Sequence, residues 1–489
     1  DIDASYVDDT RQLALFLLAE EGQNGIAARL LDLPDRPSVR LDIAGDAPLD
    51  DFIGDIALAT DDVDRITGTV RLSRPSGTLD QAFFVDLAGD LRPMLASQYD
   101  TFFGENTILR VEGTSFGIGG LHLSNLVIAA DQLVLRGSAA FDAQGWPETI
   151  DLRGRLGSGG TNRVLLPIGG APTEVSGMSL NVQYDAAQDA AWTGAFDITS
   201  LGRDGVSLDA LAVSGGGIIL PGAGGKEGQF TADLNYAARG LDLEDDTLSD
   251  VVGRDIEGTL TVSRVEGEPL LIRELTVAGA GLLAQGNARI EGPDDRFLTT
   301  AELTIDAENL SRFAAISTLD LSGSGTLRLR GDVQPFDGIF DIFLAARTTD
   351  LALGIDQLDP LLVGDAVVSL RADRDETGIR IQRVRLASGE IIGEGRGEII
   401  GQEASATFSG ELNNLGILTP SLSGPATLSA DISTDAKGNV TLDTSLTAPS
   451  ATATVIGVAT PSEGGYILRG DGAVDIDELR AYGDLVGQQ

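Results

Sequence analysis

Few side chains of the kinds that perform catalysis occur in this sequence. Its 489 residues include one histidine, His122, and no cysteine. Nucleophilic triads and dyads use a histidine base, and zinc sites use histidine or thiolate ligands, so neither can be assembled from this chain. His122 lies in LHLSNLVIA, at an outward position of a predicted strand, where we expect a solvated surface residue. The sequence therefore predicts a protein that is not an enzyme, with no cofactor, metal site or catalytic residue.

Acidic and glycine-rich stretches are the remaining candidates for chemistry. ATDDVD at 59–64 and LDLEDDTLSD at 241–250 gather carboxylates, as Ca²⁺ sites do, but neither has the spacing of an EF-hand or of a nonapeptide repeat. We interpret both as solvated loops. Nothing singles out a catalytic pair of carboxylates among 75 acids. GGAPTEVSG and SGGGIIL match no phosphate-binding loop, and we expect Trp146 and Trp192 to anchor strands or turns.

The overall charge and composition limit the possible partners. Asp and Glu number 75 against 34 Lys and Arg, which gives a net charge of −41. Binding to nucleic acid and adsorption to an anionic lipid surface both need a basic surplus, so we expect neither. Aromatic residues make up only 5 % of the chain, whereas glycine reaches 62 residues. Because large side chains usually fill a thick core, this composition favours thin sheets.

The elements that position these residues can be inferred from a recurring pattern. The pattern has apolar residues at offsets 0, 2, 5, 7 and 12 and a glycine at offset 16. It occurs four times, beginning at Leu121, Val206, Leu270 and Ile379. Alternation indicates strands, and the one-residue slip after offset 2 keeps one face apolar only if a β-bulge absorbs a residue. The pattern therefore predicts bulged β-hairpins, and the copy at Leu270 should have its bulge at 273–274.

The returning strands of two hairpins, at 282–290 and 391–399, should each carry an apolar face that is smallest at its centre. Small residues leave volume that a packed interior would fill. Either another element packs closely there or a ligand occupies the space, and the sequence leaves both open. With similar strands elsewhere, the predicted apolar lining comprises Leu260, Val262, Leu282, Ala284, Gly286, Ala288, Ile290, Leu303, Ile305, Leu327, Leu329, Val368, Leu370, Ile391, Gly393, Gly395, Gly397 and Ile399.

The order of elements predicts an all-β, mainly antiparallel fold, because hairpins with one apolar face follow each other without α-helical crossovers. An elongated sheet of this kind must curl to shield its apolar face, and with few aromatic residues to fill the curl it becomes an open apolar groove. Residues 1–36 are predicted to form a helical lead-in. Residues 37–489 are predicted to form one continuous repetitive groove, with a weak internal break near 221–229. Short helices are expected between strands, at 90–104, 245–253, 308–317 and 356–364.

Several sequence segments resemble those of a known protein family. GDLRPMLASQYDTFFG at 89–104, LDIAGDAPLDDFIGDIALATD at 41–61 with ITGTVRL after it, and AENLSRFAAISTLDLSGSGTLRLRGDV at 307–333 are similar to the TamB family. These are the translocation and assembly module proteins of Gram-negative bacteria, within the AsmA-like superfamily of repeating β-groove proteins. The resemblance is of the alphaproteobacterial type, covers roughly residues 5–479 and includes no catalytic signature.

The resemblance implies a periplasmic β-groove, or β-taco, that is anchored to the inner membrane by a segment outside this chain. It implies phospholipid acyl chains as cargo, a TamA-like outer-membrane barrel partner that contacts regions beyond this chain, and outer-membrane proteins as possible clients. The chain is then expected to be an internal piece of the groove. The residues themselves leave open whether lipid or a client β-strand is bound. A structural or adhesive extracellular β-repeat protein without lipid cargo is the alternative.

Overall fold

A computed structural model describes residues 2–7, 12–30, 32–48, 50–75, 77–157, 159–168, 170–222, 227–244, 249, 251–314, 319–420, 422–462 and 465–477. Nearly all of this part is antiparallel β-structure, as predicted. The strands are β1 (Ile2–Val7), β2 (Gln12–Glu21), β3 (Val39–Pro48), β4 (Asp51–Thr60), β5 (Val63–Ser73), β6 (Gln81–Gly89), β7 (Thr107–Ser115), β8 (Leu121–Ala129), β9 (Leu133–Phe141), β10 (Pro147–Gly157), β11 (Val164–Leu165), β12 (Thr173–Val175), β13 (Gly177–Asp185), β14 (Ala191–Arg203), β15 (Val206–Leu220), β16 (Gln229–Arg239), β17 (Asp242–Leu243), β18 (Ile256–Val265), β19 (Leu270–Gly279), β20 (Leu282–Ile290), β21 (Thr299–Ala307), β22 (Ser322–Gln334), β23 (Ile339–Ala352), β24 (Asp365–Arg374), β25 (Gly378–Ala387), β26 (Ile391–Ile400), β27 (Glu403–Leu412), β28 (Ala426–Thr434), β29 (Val440–Ala448), β30 (Ala451–Ser462) and β31 (Gly465–Ile476). The helical elements are α1 (Ile26–Leu30), α2 (Asp100–Phe103) and 3₁₀ turns at Arg92–Met94, Ser97–Tyr99, Pro293–Asp295, Leu310–Phe313, Asp359–Leu361 and Leu415–Ile417.

The chain divides into two compact units. Unit 1 comprises Asp1–Asp245 and Arg254–Gly267, and unit 2 comprises Asp246–Gly253 and Glu268–Gln489. Unit 1 therefore contains β1 to β18, and unit 2 contains β19 to β31. The weak break expected near 221–229 falls inside unit 1, between β15 and β16, which pair directly, and residues 223–226 of it lie outside the described residues.

Each unit is built as a meander in which neighbouring strands along the chain pair with each other. In unit 1, β10 pairs with β13, and β11 and β12 form an excursion between them. In unit 2 every strand pairs with the next, from β19 to β31. No pairing among the described strands returns from β31 to β19, so this sheet is open rather than closed into a barrel.

The predicted helical lead-in over residues 1–36 is wrong for most of its length. Strands β1 and β2 occupy the first part, and among the described residues of this segment only Ile26–Leu30 is helical. QLALFLLAEE in β2 consists mainly of good helix formers, and for these residues the intrinsic preferences differ by only tenths of a kcal/mol. β2 pairs with β3 along its full length and also with β1. The ladders on both sides outweigh this weak local preference.

Most helical connections lie at one edge of each sheet, although the 3₁₀ turn at Pro293–Asp295, after β20, lies at the opposite edge of unit 2. In unit 1, α1 follows β2, α2 follows β6 and the β11–β12 excursion follows β10, so all three lie where even-numbered strands end. In unit 2, the 3₁₀ turns at 310–313, 359–361 and 415–417 follow β21, β23 and β27. We call this the helical edge of unit 2, and the opposite edge, where β22, β24 and β26 end, the turn edge. The predicted helix at 90–104 consists of two 3₁₀ turns followed by α2, and the one at 356–364 contains a single 3₁₀ turn. Parts of 245–253 and 308–317 lie outside the described residues.

Candidate apolar binding face

Three of the four pattern matches form the predicted bulged hairpins. The pairing of β19 with β20 shifts between Ile272 and Leu275, so Arg273 and Glu274 form the bulge, as predicted. The pairings of β8 with β9 and of β25 with β26 shift at the corresponding offset. The extra residue returns the second half of each strand to the face of the first half.

The fourth match, at Val206, is not a hairpin. Residues 206–220 form the single strand β15, which pairs with β14 and β16 without a register shift. Leu201, the cross-strand partner of Leu208, packs against the same buried cluster as Leu211. The prediction was wrong here because Gly215–Gly217, at the place of the expected turn, continue as extended strand. Period and spacing alone do not distinguish the two arrangements.

The predicted lining residues of unit 2 all share one face. Cross-strand partners in an antiparallel sheet point to the same side, so the register can be followed from strand to strand. All sixteen predicted lining residues in β20, β21, β22, β24 and β26 lie on this side, which we call the lining face of unit 2. One row across β20 to β31 consists of Gly286, Leu303, Leu329, Leu344, Leu370, Val384, Gly395, Phe408, Ala430, Thr444, Val455 and Gly472.

The remaining two predicted residues, Leu260 and Val262, lie in β18 of unit 1. From Leu260 the register leads to Leu234 in β16, Gly215 in β15 and Gly194 in β14. This is the lining face of unit 1. Its neighbours on the same rows are again small or apolar, so the predicted residues share a face within each unit.

The lining face of unit 2 becomes more exposed toward β31. Ala284 is buried, and Leu303 is half-buried. The exposed fraction is 42 % at Leu428, 43 % at Leu446 and 64 % at Leu468. Each Å² of exposed apolar surface costs about 25 cal/mol, and contiguous apolar patches on a protein surface are characteristic of binding sites. The described residues therefore present an extended apolar surface in β25 to β31.

The glycines on this face make room for neighbouring groups. A Cβ atom at Gly286 would lie 2.5 Å from the carbonyl oxygen of Glu302, in the next strand. The ring of Phe408 lies over Gly393 and Gly410, whose Cβ positions would be 3.5 Å and 3.3 Å from its nearest carbon atoms. The sequence left close packing and ligand space open as explanations for these small residues. At these glycines the space is filled by the protein's own atoms.

An aromatic ring also lies against glycines in unit 1. The indole of Trp192 lies against Gly194 and Gly217, and its Nε1 donates a hydrogen bond to the carbonyl oxygen of Thr231 at 2.9 Å. Its ring stacks with Phe230, with centroids 5.8 Å apart. Trp192 therefore anchors a strand, as expected. An aromatic ring that lies flat on glycines covers them while extending less far from the sheet than a side chain that points away from it.

Part of the lining face of unit 1 is covered by the excursions at its helical edge. Phe102 of α2 is 4 % exposed and packs with Leu156 and Ile198, which lie on that face. Val164 and Val175 of the β11–β12 excursion complete this cluster. The short helices and excursions thus close the edge of the sheet on which they lie.

The outer face, opposite the lining face, carries nearly all charged residues of the described strands of unit 2, together with exposed apolar residues such as Val367, Ile392 and Ile456. In unit 2 the Arg371 guanidinium lies 3.3 Å from the Asp341 carboxylate, and Thr300 donates to Asp332 at 2.6 Å. The guanidinium of Arg330 lies over the ring of a phenylalanine, 4.8 Å from its centroid. Two open concavities of about 1030 and 760 Å³ lie on this side of unit 2. Their charged groups largely satisfy each other, so the outer face resembles an ordinary solvated surface.

The residues first considered as catalytic or metal-binding candidates lie in ordinary surface or turn environments. His122 is exposed on the outer face of β8. Asp61, in the acidic stretch 59–64, accepts a hydrogen bond from the Ser38 backbone N–H at 3.1 Å, and part of the stretch 241–250 lies outside the described residues. Within the described ranges, no three His, Cys, Asp or Glu side chains are grouped as metal ligands would be. The described helices include none with the length and hydropathy to cross a bilayer.

No model of a known protein family matches this chain, and no curated protein matches it. The fold is therefore established by the structure, and any function has to be argued from the lining face and from the phrases quoted above.

Proposed function

We propose that the lining face binds lipid acyl chains, and that the chain belongs to a non-enzymatic periplasmic conduit of the TamB type. Such a conduit would support phospholipid transport between the inner and outer membranes and the assembly of outer-membrane proteins with a barrel partner. The observation that best supports this proposal is continuity. The described lining face of unit 2 extends across thirteen strands, β19 to β31, and Arg374 is the only charged residue on it.

The dimensions of this face suit hydrocarbon chains. At about 4.8 Å per strand, thirteen strands provide roughly 60 Å of apolar surface. This is about twice the 30 Å thickness of the hydrocarbon core of a bilayer. Several acyl chains could therefore lie along unit 2 without crossing a polar row.

The face is less suited to an extended client peptide. A peptide that binds by β-augmentation needs unpaired backbone N–H and C=O groups at a sheet edge. Strands β20 to β30 each pair on both sides, so their backbone groups are already used in the ladder. On these strands the lining face offers mainly side-chain hydrocarbon, and among the described pairings only β31, which pairs with β30 alone, leaves one edge unpaired at this end of unit 2. Acyl chains require no hydrogen bonds.

The test places charge on the lining face. Leu428 and Leu446 are cross-strand partners there, while Thr427 and Thr447 are partners one position away on the outer face. We expect the double variant Leu428→Asp, Leu446→Asp to lose about tenfold or more of its bound phospholipid, because burying a carboxylate under hydrocarbon is costly. The control, Thr427→Asp, Thr447→Asp, adds the same two charges and the same cross-strand repulsion, so its lipid content should be unchanged.

The measurement is mass spectrometry of lipids that remain bound after expression in a bacterial periplasm and purification without detergent. Near-stoichiometric phospholipid in the unmodified chain and the control, with loss in the lining variant, supports the proposal. A folded, lipid-free chain would favour the alternative of a structural or adhesive protein. Equal lipid content in both variants would show that lipid binds somewhere other than the lining face.

A further inference from the structure

A single charge interrupts the lining face of unit 2 among the described residues. Arg374 is the last residue of β24 and pairs with Phe340 in β23 and Ile379 in β25, so it belongs to the apolar side. It is exposed and lies at the turn edge. Its guanidinium lies beside the turn between β22 and β23, where a Cβ atom at Gly338 would be 3.8 Å from Nη1.

The acidic groups around Arg374 are engaged by other cations. Asp373 and Asp375 flank it in sequence, and both bind Arg380, at 3.3 Å and 2.7 Å. The third neighbour, Asp337, binds Arg296 at 3.3 Å. Within the described part of the chain, no carboxylate oxygen lies within 4.0 Å of the Arg374 guanidinium. In a chain of net charge −41, this cation on an apolar face forms no ion pair among the described residues.

Two exposed aromatic rings lie at the same edge. Phe297 and Phe336 are 41 % and 79 % exposed, and their rings meet edge to face with centroids 5.6 Å apart. Phe297 has a φ of 56°, a conformation that bulky residues rarely adopt, so the turn holds its ring outward at a conformational cost. Aromatic rings and basic side chains together are typical of protein surfaces at the boundary between lipid hydrocarbon and headgroups.

We propose that Arg374 is the headgroup site of an entry point for phospholipids at the turn edge of unit 2. Its guanidinium binds the lipid phosphate, for which the planar, bidentate geometry of arginine is well suited. The acyl chains of the same molecule lie on the lining face between Phe340 and Ile379, and Phe297 and Phe336 contact the glycerol region. This inference rests on the proposed function and specifies its substrate as a lipid that carries a phosphate.

The test compares two lipids with the same acyl chains. Dioleoyl phosphatidylglycerol and dioleoylglycerol are delivered to the lipid-depleted chain from cyclodextrin, and binding is measured by native mass spectrometry. We expect the phospholipid to bind about tenfold more tightly, as for one charge-assisted contact at an exposed site, and Arg374→Gln to remove this preference. The net charge of −41 repels an anionic lipid, so a preference for it has to arise locally.

Arg396→Gln is the matched control. Arg396 lies on the outer face of β26, where it donates to Thr407 at 3.0 Å, so its loss changes the net charge equally. It should keep the preference for the phospholipid. If both lipids bind equally in the unmodified chain, or if the two variants behave alike, the headgroup site is refuted while the acyl-binding function stands. If neither lipid binds, the proposed function fails together with this inference.

Discussion

Two glycines on the lining face should respond oppositely to the same substitution. In Gly286→Ala, the new methyl group would lie 2.5 Å from the carbonyl oxygen of Glu302, and this backbone is held in the ladder of β21. We expect the strand pair to shift, at a cost of about 1–3 kcal/mol. In Gly393→Ala, the methyl group would lie 3.5 Å from the ring of Phe408, an ordinary contact. This variant should gain about 0.4–1 kcal/mol, because alanine restricts the unfolded chain.

Both glycines belong to unit 2, so the two variants test the same structure. The two tryptophans, at 146 and 192, belong to unit 1, and their fluorescence does not report on this region. Hydrogen exchange followed by mass spectrometry, on peptides covering 282–290 and 391–399, measures local stability directly. A loss of about 2 kcal/mol raises the open fraction roughly thirty-fold.

The opposite result would refute the packing argument. If the volume at Gly286 were free for cargo, Gly286→Ala would leave exchange in 282–290 unchanged and would instead reduce bound lipid. If Gly393→Ala increased exchange in 391–399, the ring of Phe408 would have to be more tightly seated than its distances indicate. Either outcome would mean that the lining glycines have another role than fitting neighbouring atoms.

Three further changes have expected outcomes. Phe408→Ala removes a ring that is 44 % exposed, and should cost about 2 kcal/mol in unit 2, measured by the same exchange experiment, while bound lipid is retained. Glu21 accepts the backbone N–H groups of 27–28 at 2.9 and 2.8 Å, and these bonds lower its pKa, so Glu21→Gln should speed amide exchange in α1 several-fold. Hydrogen bonds from Asn439 lower the pKa of Asp435 below its usual 3.8. Since the folded-state pKa is depressed, the carboxylate of Asp435 stabilises this turn fully above pH 3.8, and this stabilisation is lost as the pH falls through the lower, folded-state pKa. Amide exchange at 435–439 should therefore become faster at low pH. Asp435→Asn should abolish this pH dependence.

The bulged hairpins could be predicted because their pattern has one physical solution. Apolar residues on both sides of a one-residue slip can share a face only if a bulge absorbs the extra residue, and the structure has it at 273–274. The same reasoning failed at Val206, where glycine continues the strand that a turn was expected to end. It also failed at 12–21, where good helix formers such as leucine and alanine lie in a strand because pairing on both sides decides.

Other features depend on which residues meet across strands, which the sequence does not show. Gly395 pairs with Phe408, thirteen positions along the chain, and only this register explains why small residues occur in β26. Arg374 is one of 34 basic residues, and its place on the apolar side follows from its partners in β23 and β25. Arg374 was missed because only Val368 and Leu370 of β24 were assigned to the apolar face and the alternation was not continued to position 374.

The distribution of connections suggests a direction of access to unit 2. At the helical edge, Leu361 and Leu362 of the connection after β23 are 2 % and 0 % exposed, so this edge is packed by the protein itself. At the turn edge most described connections are short hairpin turns, apart from residues 291–298 with their 3₁₀ turn, and Phe336 is 79 % exposed. A lipid that slid in from the helical edge would have to displace buried leucines, at a cost of about 2–5 kcal/mol for each. Entry at the turn edge would displace no buried leucine among the described residues, and Arg374 lies there, where a headgroup would remain in solvent after the acyl chains had reached the lining face.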